Sequence, residues 1–158
     1  MKNSSGLIAV IAHDGMKKIM SEFVCDHAGA LSAFEMVATN GTAKELRDVK
    51  MSATTCGHGP SGGDVAIAAA VAAGEIAAVF FFIDSAVAHP HAPDVSALIR
   101  QCCVHDVPLA LNRTTADAVV NRLMHAERAR IPKPRATRTR AARNSQPNYR
   151  ELPQNQPH

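Results

Sequence analysis

The titratable and polar residues of this 158-residue chain gather in a few short stretches. His13-Asp14 is followed by Lys17, and Thr39-Asn40-Gly41-Thr42 supplies hydroxyls and an amide. Gly57-His58-Gly59-Pro60-Ser61-Gly62-Gly63, with four glycines in seven residues, leads into Asp64. Asp84, His89, His91 and Asp94 crowd a proline-containing segment. Carboxylates and histidines are the groups of general acid–base chemistry, and backbone N–H groups at helix starts hold anions. Asp64 also has a purely structural role open to it, as the N-cap of the helix that follows. The HxH spacing of His89 and His91, with Asp84 and Asp94, suggests metal ligands. Prolines interleave it and no third soft ligand is near in sequence, so no metal is expected.

The elements that must position these residues can be read from hydrophobic pattern. Leu7 to Ala12 is a continuous apolar run of strand length, as in a strand covered on both faces. Met16, Ile19, Met20, Phe23 and Val24 then recur at helical spacing up to about His27. Phe34 to Thr39 reads as a second strand, Thr42 to Asp48 as a short helix, and Met51 to Cys56 as a weak third strand. Asp64 to Ala73 is an alanine-rich helix ended by Gly74, and Ala77 to Ile83 is the strongest strand. Asp94 should cap a helix from Val95 to about His105. Val107 to Leu111 is a fifth strand, and Thr114 or Thr115 should cap a last helix ending near Glu127. Five alternations predict an α/β fold, a three-layer α/β/α sandwich around a mostly parallel sheet. Such sheets take ligands beyond the carboxyl ends of their strands. His13 and Asp14, Thr39 and Asn40, His58 to Asp64, Asp84 to His91, and Asn112 all fall there, so the five loops should open on one edge.

Composition narrows the function classes. Apolar runs such as Ile76 to Ile83 are far shorter than the roughly 20 residues a membrane-spanning helix needs. The net charge of +3 is a sum of unlike parts. Residues 1–127 carry nine Lys and Arg against thirteen Asp and Glu, or −4; residues 128–158 carry eight against Glu151 alone, or +7. The break near residue 127 marks a globular domain followed by a basic tail whose composition predicts disorder. Cys25, Cys56, Cys102 and Cys103 have neither CxxC spacing nor scaffold density, and no secretory signal is visible. Buried, reduced thiols in a cytoplasmic protein are the expectation.

Three motifs, in order and at matching spacing, resemble the methylglyoxal synthase family. They are Ile8-Ala9-Val10-Ile11-Ala12-His13-Asp14 with Lys17 one turn on; Gly59-Pro60-Ser61-Gly62-Gly63-Asp64; and Phe81-Phe82-Ile83-Asp84 followed by Pro90-His91-Ala92-Pro93-Asp94-Val95. The resemblance covers roughly residues 7 to 120. It implies a five-stranded parallel sheet of order 3-2-1-4-5, a homohexamer, and conversion of dihydroxyacetone phosphate to methylglyoxal and inorganic phosphate without a cofactor. By the resemblance, Lys17, Thr39 and Thr42, with the N–H groups of Asn40, Gly41 and Thr42 and of His58 and Gly59, hold the phosphate. Asp64 takes the proton next to the carbonyl, and His91 shuttles protons beside the carbonyl oxygens. Asp84 and Asp94 orient the site, and His13 and Asp14 face the substrate.

The chain departs from the family at several of these places. Thr39-Asn40-Gly41-Thr42-Ala43 stands for the usual Thr-Gly-Thr-Thr-Gly, so a hydroxyl is missing at Gly41 and a glycine has become Asn40, which tolerates the left-handed conformation better than most residues. His58-Gly59 replaces Ser-Gly, Ser61 replaces a larger apolar residue, and Ala66 a habitual glutamine. These changes fall on binding more than on Asp64 and His91. The same fold also serves as a non-catalytic small-molecule-sensing domain in carbamoyl phosphate synthetase. A sensor has no need of a base beside a proton shuttle, which favours the enzyme. The basic tail has one aromatic residue, Tyr149, and no recognised motif, so nucleic acid is not an expected partner. Family members often end in a segment whose arginine reaches a neighbouring subunit's phosphate pocket, and Tyr149-Arg150 is the candidate for it.

Overall fold

The computed structural model describes residues 6–57, 62–88 and 92–130. The expectations for His58, Gly59, His89, His91 and the tail beyond Arg130 lie outside the described residues.

The first apolar run forms β1 (Leu7–Ala12), and four more strands join it: β2 (Glu35–Ala38), β3 (Thr54–Thr55), β4 (Ile76–Phe82) and β5 (Leu109–Ala110). All pair in parallel, in the order β3-β2-β1-β4-β5. The connections are a 3-10 turn (Asp14–Met16) with α1 (Lys17–Asp26) and the single turn α2 (Ala28–Leu31), then α3 (Asn40–Asp48), α4 (Gly63–Ala72) and α5 (Ala92–Val104), with α6 (Arg113–Arg130) after β5.

Two apolar layers sandwich the sheet, because successive strand residues face opposite sides. Ile8, Val10, Phe80 and Phe82 pack with Phe23 and Val24 of α1, Leu46 of α3 and Val120 of α6. Ala9, Ile11, Val79 and Phe81 pack with Ile67 and Val71 of α4 and Leu98 of α5. Central strands covered on both sides have no polar face, which is why β1 and β4 read as unbroken apolar runs. Phe80, Phe81 and Phe82 are wholly buried, each such side chain stabilising the fold by roughly 1.5–3 kcal/mol. Leu7 lies opposite Ile76 but Ile8 lies opposite Ala78, and the register then runs one-to-one to Ala12 and Phe82. Ala77 is thus an extra residue, a bulge.

Several ends differ from expectation for identifiable reasons. The third and fifth strands shrink to two residues each; they are the sheet edges, with a single neighbour to pair with. Helix α3 begins at Asn40, not Thr42, because Thr39 is the extended residue that ends the strand. Asp94 does not cap α5, which begins at Ala92 and holds Pro93 in its first turn, where a missing N–H costs little. The cap of α6 is Asn112, whose Oδ1 accepts the Thr115 N–H at 3.0 Å. That helix runs past Glu127 to Arg130. Asp64 is not an N-cap either: Gly62, in the left-handed region at φ +100°, precedes α4, and Asp64 is its second residue. The four cysteines are unpaired, but only Cys102 is buried; Cys25 and Cys103 are exposed and Cys56 lies between.

Candidate active site

The carboxyl ends of β1 and β2 bring the first group together. Ala12, the last residue of β1, donates its N–H to Thr42 Oγ1 at 3.0 Å, and Thr42 Oγ1 lies 3.2 Å from Thr39 Oγ1. Both threonines are buried. Asn40 donates its N–H to the Gly57 carbonyl at 2.8 Å, extending the β2–β3 ladder, so this amide is engaged within the fold rather than turned to a ligand. Lys17, the first residue of α1, reaches across to the start of α3. A Cβ on Gly41 would stand 2.7 Å from Lys17 Nζ. The residue missing its hydroxyl is therefore the one whose bare Cα seats the ammonium. Lys17 Nζ also pairs with Asp14 Oδ1 at 2.5 Å, and the Asp14 carboxylate is almost fully exposed. A cation resting on the positive end of a helix concentrates positive potential at one point. Lys44 and Arg47 extend it, lining with Asn40, Gly41 and Thr55 an adjoining cavity of about 460 Å³.

The ends of β1 and β4 position a second group. His13, buried, donates its backbone N–H to the Phe82 carbonyl at 3.1 Å. Its Nδ1 accepts the backbone N–H of Asp84 at 3.1 Å, which places the ring proton on Nε2. The ring meets Phe81 edge-on, 5.2 Å between centroids. Asp84 Oδ1 accepts the Ala86 N–H at 3.1 Å, and a Cβ on Gly15 would stand 2.6 Å from Asp84 Oδ2. Gly15 is thus to Asp84 what Gly41 is to Lys17, a place where the end of a side chain occupies the space a Cβ would take.

Asp64 comes from the third loop and is 1% exposed in the first turn of α4. The dipeptide Cys56-Gly57 lies between it and the threonine loop. Burial pushes the Cys56 thiol above its usual range, a backbone hydrogen bond opposes this, and the nearby Asp64 charge adds to it. Asp94 is half-buried in the first turn of α5. Asn112 is spent on capping α6. Among the described residues no group of three or more His, Cys, Asp and Glu is placed to hold a metal. The sequence gives Gly41 a backbone N–H and a missing hydroxyl, but assigns Gly15 and Cys56 no place in the site; what each of the three does there depends on residues brought in from other loops.

Comparison with known proteins gives the family. The profile of the MGS-like domain matches residues 20–111. A methylglyoxal synthase of Acholeplasma laidlawii is 44% identical over 117 residues, covering 73% of this chain and 96% of that one. An uncharacterized protein of Synechocystis is 43% identical over 117 residues, 73% of this chain but only 27% of that longer protein. The crystal structure of methylglyoxal synthase from Elizabethkingia anophelis matches with a TM-score of 0.69 at 36% identity, over 73% of this chain and 76% of that one. With the five-stranded order, the loop edge and these matches together, the chain belongs to the methylglyoxal synthase family.

Proposed function

We propose that this chain is a lyase that converts dihydroxyacetone phosphate to methylglyoxal and inorganic phosphate. The observation that carries the reading is the Lys17 ammonium seated over Gly41 at the start of α3. The Asp14 carboxylate compensates the ammonium in part, and an anion placed against both the ammonium and the helix N-terminus meets two positive ends at once. Thr42 accepts from Ala12; when it donates its own proton to Thr39, the Thr39 hydroxyl is left to donate to a phosphate oxygen.

With the phosphate held there, Asp64 removes a proton from the carbon next to the carbonyl that bears the hydroxyl. The C–H pair forms an enediolate, and His91 carries a proton between its two oxygens. Collapse of the terminal alkoxide to an aldehyde shifts the double bond toward the phosphate-bearing carbon. The C–O bond then breaks with its electron pair leaving on phosphate, and the released enol tautomerises to methylglyoxal. The Nε2–H of His13 suits a developing oxyanion, Asp84 holds His13 through its N–H, and Asp94 serves as the further carboxylate that the resemblance assigns to orienting the site. Incubation with dihydroxyacetone phosphate and a colorimetric dicarbonyl assay tests the proposal: product well above an Asp64→Ala control is expected. No product above that control would instead fit a sensor of small anions.

Two glycines give sharper expectations. Gly15→Ala forces the Asp84 carboxylate to turn away, and kcat should fall on the order of 10- to 100-fold, as for an ångström-scale misplacement, while the melting temperature stays near wild type. Gly41→Thr restores the hydroxyl usual in the family, and the Lys17 ammonium, the far end of a flexible side chain, shifts to make room for it. KM should fall, readable in steady-state kinetics.

We further propose a cytoplasmic homohexamer in which residues 1–127 form the catalytic domain and 128–158 a basic extension. The change of charge sign and the resemblance support this division. No described helix is long and apolar enough to cross a membrane. If Tyr149-Arg150 of one subunit serves its neighbour's phosphate site, removal of residues 131–158 raises KM; an unchanged KM would reduce the tail to an appendage.

A further inference from the structure

We infer that Cys56 is a positioning residue for this reaction, a strap whose thiol ties the phosphate-holding loop to the segment that carries the base. The inference rests on the proposed function and adds to it a residue that touches no substrate. Cys56 Sγ lies 3.3 Å from the Ala38 carbonyl and 3.8 Å from the Gly63 carbonyl. Ala38 directly precedes Thr39, and Gly63 directly precedes Asp64. One S–H, shared between two carbonyls, thus spans the two chemical ends of the site. Its surroundings hold it there. The Cys56 N–H donates to the same Ala38 carbonyl at 3.0 Å, and the Gly57 carbonyl accepts from Asn40 at 2.8 Å. Gly57 takes φ +99°, and its Cβ position lies 4.0 Å from Gly63 Cα, an ordinary van der Waals contact with the start of α4.

A strap of this kind needs its proton, because a thiolate cannot donate to a carbonyl. Burial and the Asp64 charge both favour the neutral thiol, and the donor persists through the physiological range. The strap acts on the separation between the held phosphate and the carboxylate of Asp64. Proton transfer is steeply sensitive to such a separation, whereas phosphate affinity is not.

Cys56→Ala and Cys56→Val on the full chain test this, the second keeping the volume filled, with Cys56→Ser as the donor-retaining control. Both apolar variants should lower kcat on the order of 10-fold, leave the affinity for inorganic phosphate near wild type, and raise the primary isotope effect measured with substrate deuterated at the carbon that loses its proton. Cys56→Ser should recover most of kcat and the wild-type isotope effect. If either apolar variant keeps the wild-type kcat and isotope effect, or if serine fails to rescue, the strap is overturned while an active wild type still upholds the function. An inactive wild type overturns both readings.

Discussion

Replacing Asp64 with asparagine should lower kcat by about 10²- to 10⁴-fold, the range that a positioned base supplies, while the dissociation constant for inorganic phosphate stays within a few-fold of wild type. Asparagine keeps the shape and loses the ability to take a proton, so the deficit should appear in the chemical step. A folded Asp64→Asn variant that keeps its phosphate affinity and loses its activity separates a catalytic role from a structural one; an active Asp64→Asn protein would remove Asp64 from the mechanism.

Replacing Lys17 with methionine should raise the dissociation constant for phosphate and KM together by roughly 10- to 150-fold, the equivalent of about 1.5–3 kcal/mol for a hydrogen bond to a charged group. Methionine keeps the length of the side chain and removes the charge. Lys17→Arg should rescue only partly. The gap over Gly41 admits a compact ammonium, and a planar guanidinium is wider than the space a single Cβ would already overfill. Binding to wild type should also weaken with added salt more than binding to Lys17→Met, since one screened cation is gone. Equal salt dependence in the two proteins would place the phosphate elsewhere.

The part of the fold that the sequence made legible is the part held by continuous burial. Leu7 to Ala12 and the Phe80-Phe81-Phe82 run are apolar because each is covered from both sides, and strand-length apolar runs survive any ambiguity of period. The edge strands were overestimated because Met51 to Ala53 and Val107 have strand-like residues but no second neighbour to pair with. Helix starts misled where the cap came from an unexpected residue: Asn112 rather than a threonine, and Gly62 rather than Asp64. Of the site, the residue types at the strand ends were visible. Vacancy of side chain as a device leaves no mark in the sequence. Gly15 and Gly41 matter for the atoms that occupy the space above them, Asp84 Oδ2 and Lys17 Nζ, and those atoms arrive from loops far away in sequence.

The extra residue in β4 has a bearing on how such a chain can vary. Leu7 and Ile76 pair on one side of the bulge, and Ile8 to Ala12 pair afresh with Ala78 to Phe82 on the other. The ladder that aims Asp84 and the Phe82 carbonyl at His13 is thereby keyed to β1 itself, not to the count of residues entering from Gly74. Without Ala77, Ile76 and Ala78 would still face the layers they face now, as neighbours in an ordinary alternation. An insertion or deletion at the amino edge of this strand is absorbed before it reaches the site, so the far side of the domain can drift in length while the reacting groups hold their places.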